Sequence, residues 1–292
     1  MDDTIHKNEV AAVVVLYNPP ADVLGNIESY IGQVGVVIAV DNTTDLDPGF
    51  RAELESRGVE YLPMGGNKGI AAALNAGSRR ALASGHAWAL TMDQDSTAPE
   101  GFVEGLARCL SEPDSDRIAI IAPKWEQAGG LTEEKVAECR DLVSAMTSGN
   151  LLRLSAFDDL GGFREDLFID RVDNEFCMRA LRQGRRVTQR QDVVLLHRCG
   201  TLQLVTFPIR CYITDYSPVR RYYMVRNFFE LRAEYGKEFP TWLDEERRYW
   251  RRELVKILLA EPKRLAKFRM MLRGWVDYRH GRFGAYDELH SS

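Results

Sequence analysis

Five short apolar runs, each closed by polar residues, constrain this chain more than any other feature. They are Val10 to Leu16, Val36 to Val40, Val59 to Leu62, Ala87 to Met92 and Ile118 to Ala122. Each is too short for a buried helix, and most are rich in β-branched residues, so they read as strands buried on both faces. The segments between them have helical spacing from Ala21 to Ile31 and from Ile70 to Ala83, the latter Ala-rich and stopped by Gly85. Strands alternating with helices as far as about residue 125 predict an α/β fold: a mainly parallel, right-handed sheet flanked by helices.

Composition narrows the class. The chain has 292 residues, enough for one large domain with a substantial core, and no apolar run approaches the ~18 residues of a membrane span. Met1-Asp2-Asp3 does not open a secretory signal. The five cysteines (109, 139, 177, 199 and 211) are odd in number, scattered and without a C-x-x-C pair. They read as reduced thiols of a cytoplasmic protein, neither a zinc site nor a disulfide frame. Net charge is −5, but Lys237 to Phe283 holds 13 Lys+Arg against 7 Asp+Glu, so the remainder carries −11. That asymmetry points the C-terminal segment toward an acidic surface such as an anionic leaflet, although a solvated helical face has the same signature. Nucleic acid is not an expected partner.

In a parallel sheet the strand ends fall on one edge, where open α/β sheets bind ligands. Tyr17 and Asn18 follow the first run, and Asp41 and Asn42 end the second, placed to read a base or ribose. The third runs into Gly65-Gly66-Asn67-Lys68-Gly69, a loop able to turn backbone N–H groups and a lysine toward phosphate at a helix start. It matches neither G-x-G-x-x-G nor the Walker pattern, and a plain turn explains it equally well. The fourth run ends in Asp93-Gln94-Asp95-Ser96. Two hard carboxylates at a turn suit Mg²⁺ or Mn²⁺ with substrate phosphates completing the shell; turn and cap residues before Pro99 are the plainer alternative.

The second half adds another acidic cluster, Asp170-Arg171-Val172-Asp173-Asn174-Glu175, opening a helix that Gly184 closes. Carboxylates in a first helical turn serve either as caps or as a general base beside a departing group. Val193 to Leu196 reads as a last strand ended by His197, which either makes a structural hydrogen bond or completes a metal or diphosphate site. Ser217 to Phe229 is an aromatic, Arg-bearing helix; Arg226 suits phosphate contact, while its aromatics suit core packing. From Trp242 to Arg282 the chain reads as two or three basic amphipathic helices with breaks near Pro262 and Gly274, and Trp242, Trp250 and Trp275 offer a membrane-interface face.

With these residues in view, the sequence resembles the inverting family 2 glycosyltransferases of the GT-A fold, most nearly their bacterial rhamnosyltransferase branch. The resemblance rests on Val15-Leu16-Tyr17-Asn18, Val40-Asp41-Asn42, Asn67-Lys68-Gly69-Ile70-Ala71, Asn75-Ala76-Gly77 and Met92-Asp93-Gln94-Asp95-Ser96. It continues in Ser148-Gly149-Asn150, Gly161-Gly162-Phe163, Phe168-Ile169-Asp170, Val172 to Arg179, His197, Tyr222-Tyr223 and Arg226-Asn227. The order of these motifs over about residues 10–230 is more specific than any one of them. The resemblance implies that Tyr17 and Asp41 border the nucleotide base, with Asn42, Asn67, Lys68, Gly69, Asn75, Gln94 and Arg226 also on the nucleotide sugar. It implies that Asp93 and Asp95, with His197, form the metal and diphosphate site, and that Gly149, Asn150, Asp170 and Glu175 face the acceptor. Asp173 would be the base. The family commonly has Glu-Asp where this chain has Val172-Asp173, a variation associated with the rhamnosyl branch.

The implied reaction is transfer of a sugar from dTDP-L-rhamnose, or from a UDP-sugar such as UDP-galactofuranose, to a lipid-linked glycan. The implied place is the cytoplasm; the C-terminal helices lie outside the resemblance, and their basic charge fits docking at the inner face of the membrane. A glycosyltransferase domain over 1–235 (nucleotide-sugar half to about 125, acceptor half from 126) and a helical extension over 236–292 are expected. Two rivals remain: a phosphohydrolase of the haloacid dehalogenase type and a non-catalytic nucleotide-sugar binder. The first places its Asp-x-Asp after the first strand, not the fourth; the second needs no Asp173.

Overall fold

A computed structural model describes residues 5–126, 136–197, 203–206 and 211–290. By internal contacts they form two compact units. The first runs to Arg164 and takes in Asp173–His197; the second comprises Glu165–Val172 and the described residues from Gln203 onward.

The first unit is the α/β body. Its strands are β1 (Val10–Leu16), β2 (Val36–Asp41), β3 (Glu60–Pro63), β4 (Trp88–Asp93), β5 (Ser96–Thr97), β6 (Ile118–Glu126), β7 (Cys139–Asp141), β8 (Asn150–Arg153) and β9 (Arg186–His197). Its helices are α1 (Val23–Ile31), α2 (Pro48–Ser56), α3 (Ile70–Ala83), α4 (Phe102–Ala107), α5 (Leu154–Asp159) and α6 (Val172–Arg182). The nine strands make one sheet in the order β3-β2-β1-β4-β8-β6-β9-β5, with β7 on β9. β1 to β4 pair in parallel, as expected of strands joined by helices. β8 then enters antiparallel between β4 and β6, which the apolar runs alone do not announce because it is only Asn150-Leu151-Leu152-Arg153. All seven residues of β1 are buried, which is why that run has no polar alternation. Val10, Ala12, Val14 and Leu16 join Val37, Ala39, Leu90, Met92, Phe102, Leu106 and Leu151 in a core between sheet and helices. The predicted last strand is the end of the longer β9.

The second unit holds the hairpin β10 (Gln203–Val205) with β11 (Cys211–Ile213), then α7 (Pro218–Tyr235), α8 (Pro240–Leu259), α9 (Arg264–Arg279) and α10 (Tyr286–His290). Ser217 caps α7 by accepting from Arg220 N–H, with Pro218 at the first helical position. Met224, Val225 and Phe228 of α7 pack with Trp250 and Ile257 of α8 and Met271 of α9. Among the described residues no helix is long and apolar enough to cross a membrane.

Two expectations are corrected. Cys109 and Cys139 form a disulfide rather than two free thiols, their Cα atoms 5.8 Å apart across 30 residues of sequence. The short 3-10 turn after α4 (Arg108–Ser111) and the edge strand β7 bring them together, a proximity that scattered spacing conceals. Cys177 is free and buried, and burial pushes its thiol up to about 12. Cys199 lies outside the described residues, as does the side chain of Cys211. Gly274 does not break a helix but lies inside α9, where a Cβ would collide with the carbonyl of Tyr222 on α7. The glycine therefore permits close helix packing.

Candidate active site

The registers of the parallel strands set the site's frame. Leu16 lies opposite Asp41 and Val15 opposite Asp93, so the ends of β1, β2 and β4 lie side by side on the carboxyl edge. Tyr17, just beyond β1, is 49% exposed on that rim. Asp93, Gln94 and Asp95 are half-buried there. This is the juxtaposition that the sequence predicts.

Several of the predicted ligands are instead fasteners. Gln94 accepts from Tyr17 N–H at 2.9 Å and donates to Tyr17 O at 3.2 Å, while Asn26 Nδ2 donates to the Gln94 carbonyl at 2.8 Å. Gln94 thereby ties the turn after β4 to the turn after β1. Asp41 is buried; Oδ1 accepts from Thr43 N–H at 2.9 Å and Oδ2 from Tyr61 Oη–H at 2.6 Å. Burial and, after it, the Asp41 carboxylate push the Tyr61 phenol up to about 12. Asn75 is buried in α3, exchanging hydrogen bonds with the Phe163 backbone at 2.7 and 2.9 Å.

The glycine-rich loop differs from expectation in its amides. Lys68 N–H donates to Asn42 Oδ1 at 2.7 Å and Gly69 N–H to Asn67 Oδ1 at 3.0 Å. Asn42 Nδ2 also holds the Gly69 carbonyl and Asn67 Oδ1, each at 3.2 Å. The two asparagines thus take up the N–H groups of Lys68 and Gly69, two of those expected to face phosphate, while the Lys68 side chain is exposed.

Beside β4, Ser96 and Ser148, motif positions to which the sequence assigns no role, form a relay that braces the Asp pair. Asp93 N–H donates to Ser148 Oγ at 3.0 Å, and Ser148 Oγ donates to buried Ser96 Oγ at 2.8 Å. Gly149 has φ +82° and donates its N–H to Thr91 O at 2.7 Å; a Cβ there would meet Leu195 and Pro123 at 2.9 Å. Its place is thus one of close packing. Asn150 is buried, with Nδ2 on Met146 O at 2.5 Å and Oδ1 without a hydrogen-bond partner. It lines a cavity of about 10 Å³ together with Thr91, Thr147, Phe163, Cys177 and Asp173. The cavity is the size of one water and joins β4 to the head of α6.

Asp173 sits half-buried in the first turn of α6, where Oδ1 accepts from Asn174 N–H at 2.8 Å. Asn174 Nδ2 donates to Ser144 Oγ at 2.6 Å and so fixes the helix start. Glu175, two residues on, is 1% exposed and pairs with Arg179 at 2.8 Å. Arg179 also donates to the carbonyls of Leu160 and Gly162, so Glu175 braces the Gly161-Gly162 turn. Ser96 pairs with His197 across β5 and β9, but the His197 side chain lies outside the described residues.

Asp170 and Arg226 belong to the second unit. Arg226 is fully buried and donates to the carbonyls of Asp166, Leu167 and Gly284 at 2.8–3.1 Å, which uses the guanidinium expected to bind phosphate. Asn227 Nδ2 holds the carbonyls of Leu167, Ile169 and Asp170 at 2.8–2.9 Å. Asp170 pairs with Arg220 at 3.1 Å. These α7 side chains hold a run in which Phe168, Asp170 and Arg171 all have φ near +65°, a costly conformation outside glycine that concentrates at functional sites.

Among the described residues no group of three or more His, Cys, Asp or Glu side chains stands ready to hold a metal ion. Asp93 and Asp95 carry hard oxygen donors of the kind that suit a divalent ion whose other ligands come from diphosphate and water.

Comparison with known proteins agrees with this arrangement. Residues 11–149 match the family described as Glycosyl transferase family 2. The chain is 32% identical over 245 residues to the dTDP-rhamnosyl transferase RfbF of Shigella flexneri, an alignment covering 77% of this chain and 80% of that one. Among solved structures it resembles GalNAc-T7 with UDP, GalNAc and Mn2+, with a TM-score of 0.57 and 12% identity over 74% of this chain; the match spans about half (47%) of that protein. It also resembles S. aureus TarS 1-349, with a TM-score of 0.52 and 14% identity over 93% of this chain and 72% of that one. At these identities the structural likeness carries the fold alone. A sheet edge that gathers Tyr17, Asp41 and the Asp93–Asp95 pair, and a likeness through 80% of a rhamnosyl transferase, lead to one conclusion: the chain belongs to the family 2 glycosyltransferases and is a glycosyltransferase of the GT-A fold.

Proposed function

We propose that the protein transfers L-rhamnose with inversion from dTDP-L-rhamnose to a hydroxyl of a lipid-linked glycan, working in the cytoplasm at the inner face of the cell membrane. One observation carries the reading: the Asp93–Asp95 pair sits on the strand edge beside Tyr17 and Asp41, with Asp173 sharing a cavity wall with Thr91 of the same strand β4. The likeness to a dTDP-rhamnosyl transferase supports this choice of donor.

In this reading Tyr17 and Asp41 border the base and Lys68 approaches the phosphates. Asp93 and Asp95, with His197 as a third donor, hold Mg²⁺ or Mn²⁺, which when bound neutralises charge on the departing nucleoside diphosphate. Asp173 accepts the acceptor's hydroxyl proton, leaving the oxygen's electron pair to attack the anomeric carbon. The bond from that carbon to the diphosphate oxygen breaks from the opposite side, its electrons leaving with the phosphate, so the configuration inverts. Gly149, Asn150 and Glu175 shape the acceptor side through packing and fixed turns; Asp170 is a separate acceptor candidate of the second unit.

The test is a thermal-shift panel of nucleoside diphosphates and sugar nucleotides with and without Mn²⁺. A ligand at 100 times its dissociation constant adds about 2.7 kcal/mol of stability. The expected result is a metal-dependent shift with dTDP-L-rhamnose that Asp93→Ala abolishes. A preference for UDP-sugars would move the donor, and an undiminished shift in Asp93→Ala would remove the metal assignment.

A further inference from the structure

The helices α8 and α9 turn their charges inside out. Between Pro240 and Arg279 the sequence holds eleven Lys+Arg and six Asp+Glu. Four of those acids, Glu246, Glu253, Glu261 and Asp277, are buried and paired. Only Asp244 and Glu245 are exposed, against nine exposed cations that include Arg247, Arg251, Arg269 and Arg279. The outer surface is therefore far more cationic than the sequence count implies.

That cationic surface is also greasy. Of the thirteen large hydrophobic residues that are exposed among the described residues, seven lie on these two helices. Leu254, Val255, Leu258 and Leu259 end α8, and Leu265, Leu272 and Trp275 follow on α9. Leu265 is 87% exposed and Leu272 60%. Leu265, Leu272 and Trp275 fall on one stripe of α9, while Lys267, Met271 and Gly274 occupy its buried side. Arg264 Nη1 donates to Leu258 O at 2.9 Å, pinning the turn that joins the two apolar ends. Arg279 lies 5.8 Å from the Trp275 ring centre, the amphipathic pairing of a headgroup layer. On α8, Arg248, Arg252 and Lys256 line a shallow groove of about 440 Å³ with Tyr249, Glu245 and Glu253, which suits a lipid phosphate.

We infer that the α8–α9 elbow is a docking surface for an anionic lipid leaflet, with Leu258, Leu259, Leu265, Leu272 and Trp275 entering the headgroup boundary and the exposed arginines meeting lipid phosphates. Charge complementarity selects this occupant. A second copy meeting the same face across a two-fold axis would set arginine against arginine. Exposed leucines set among cations fit a surface that is apolar beneath and negative above. The inference gives the membrane clause of the reading above a physical seat, on residues outside the proposed donor and base sites.

The experiment is co-sedimentation of the full chain with phosphatidylcholine vesicles, with and without phosphatidylglycerol, for wild type and for the doubly substituted Leu265→Ser/Leu272→Ser variant. Both leucines face solvent, so the variant should fold; its circular dichroism and melting curve check that. The expected result is sedimentation only with the anionic vesicles, weakened by high salt and reduced at least about tenfold in the variant. No binding to anionic vesicles, equal binding to phosphatidylcholine alone, or undiminished binding by the variant overturns the inference. So does a wild-type dimer that the variant loses while neither binds vesicles. The nucleotide thermal shift is read in parallel: its persistence in the variant separates failed docking from a failed donor reading.

Discussion

The two units of this protein hold their carboxylates in opposite ways. In the α/β unit, Asp93, Asp95 and Asp173 stand half-buried at a strand end, a turn and a helix start. In the helical unit, Glu253 and Glu261 share Arg221 at 2.9 and 2.7 Å, and Glu261 also holds Lys267 at 2.7 Å. Those groups are 0–6% exposed at their side chains, and Asp215 pairs with Lys267 as well. The difference teaches that depth, not residue type, separates these acids: in the proposed reading the shallower set serves chemistry, while the deeper set serves architecture. Asp173 and Glu175 repeat the contrast within one helical turn: one borders a cavity, the other is locked to Arg179.

The sharpest way to break this contrast is to neutralise that neighbouring pair. Asp173→Asn should lower turnover by about 10²- to 10⁴-fold with the nucleotide thermal shift retained. Glu175→Gln should instead lower the melting temperature; a variant that keeps its stability and loses only turnover would reverse the assignment. Next comes the buried network, where Lys267→Met leaves Glu261 and Asp215 short of a cation. It should cost about 3–5 kcal/mol in denaturant unfolding, and a near-zero cost would mean that the network relaxes or admits water. Smaller again is Asn227→Leu, which strips the donor from three carbonyls of the left-handed run and should cost about 1–3 kcal/mol.

The smallest effect concerns an acid between the two extremes. Burial alone would raise the Asp141 carboxyl, but hydrogen bonds from Arg186 and Thr188 hold it below the ordinary carboxylate range. A depressed folded-state pKa adds stability above the unfolded value of 3.8, and that stability is lost as pH falls through the folded value. The Asp141 side chain is 54% exposed, so Asp141→Asn should cost less than about 1 kcal/mol near pH 7 and nothing at strongly acid pH. A gap between variant and wild type that widens on acidification would contradict the sign.

The sequence reveals what depends on local pattern. Unbroken apolar runs foretell β1, β2 and β4, and polar residues at their ends foretell the edge on which Asp41 and Asp93 meet. β8 escapes because four residues after a glycine carry too little periodicity. The Cys109–Cys139 bridge escapes because it depends on where the turn after α4 lies relative to an edge strand. Arg226 reads as a phosphate ligand and is an internal brace, since a side chain's donors do not disclose their acceptors. Asn42, Asn75 and Gln94 carry the same lesson: a short amide satisfies backbone as readily as ligand.

The strand edge has one further consequence. The amides of Tyr17, Asn18, Thr43, Lys68, Gly69 and Asp93 all donate to side chains of the protein itself. Many phosphate-binding loops are anion traps whose bare N–H groups attract a ligand unaided. This rim has spent those six dipoles internally and presents the Asp93 and Asp95 carboxylates, leaving Lys68 as the cationic side chain of its glycine-rich loop. In the reading proposed above, affinity would then be conditional: nucleotide and cation would arrive as a pair, and the supply of free divalent ion would set how often the door is open.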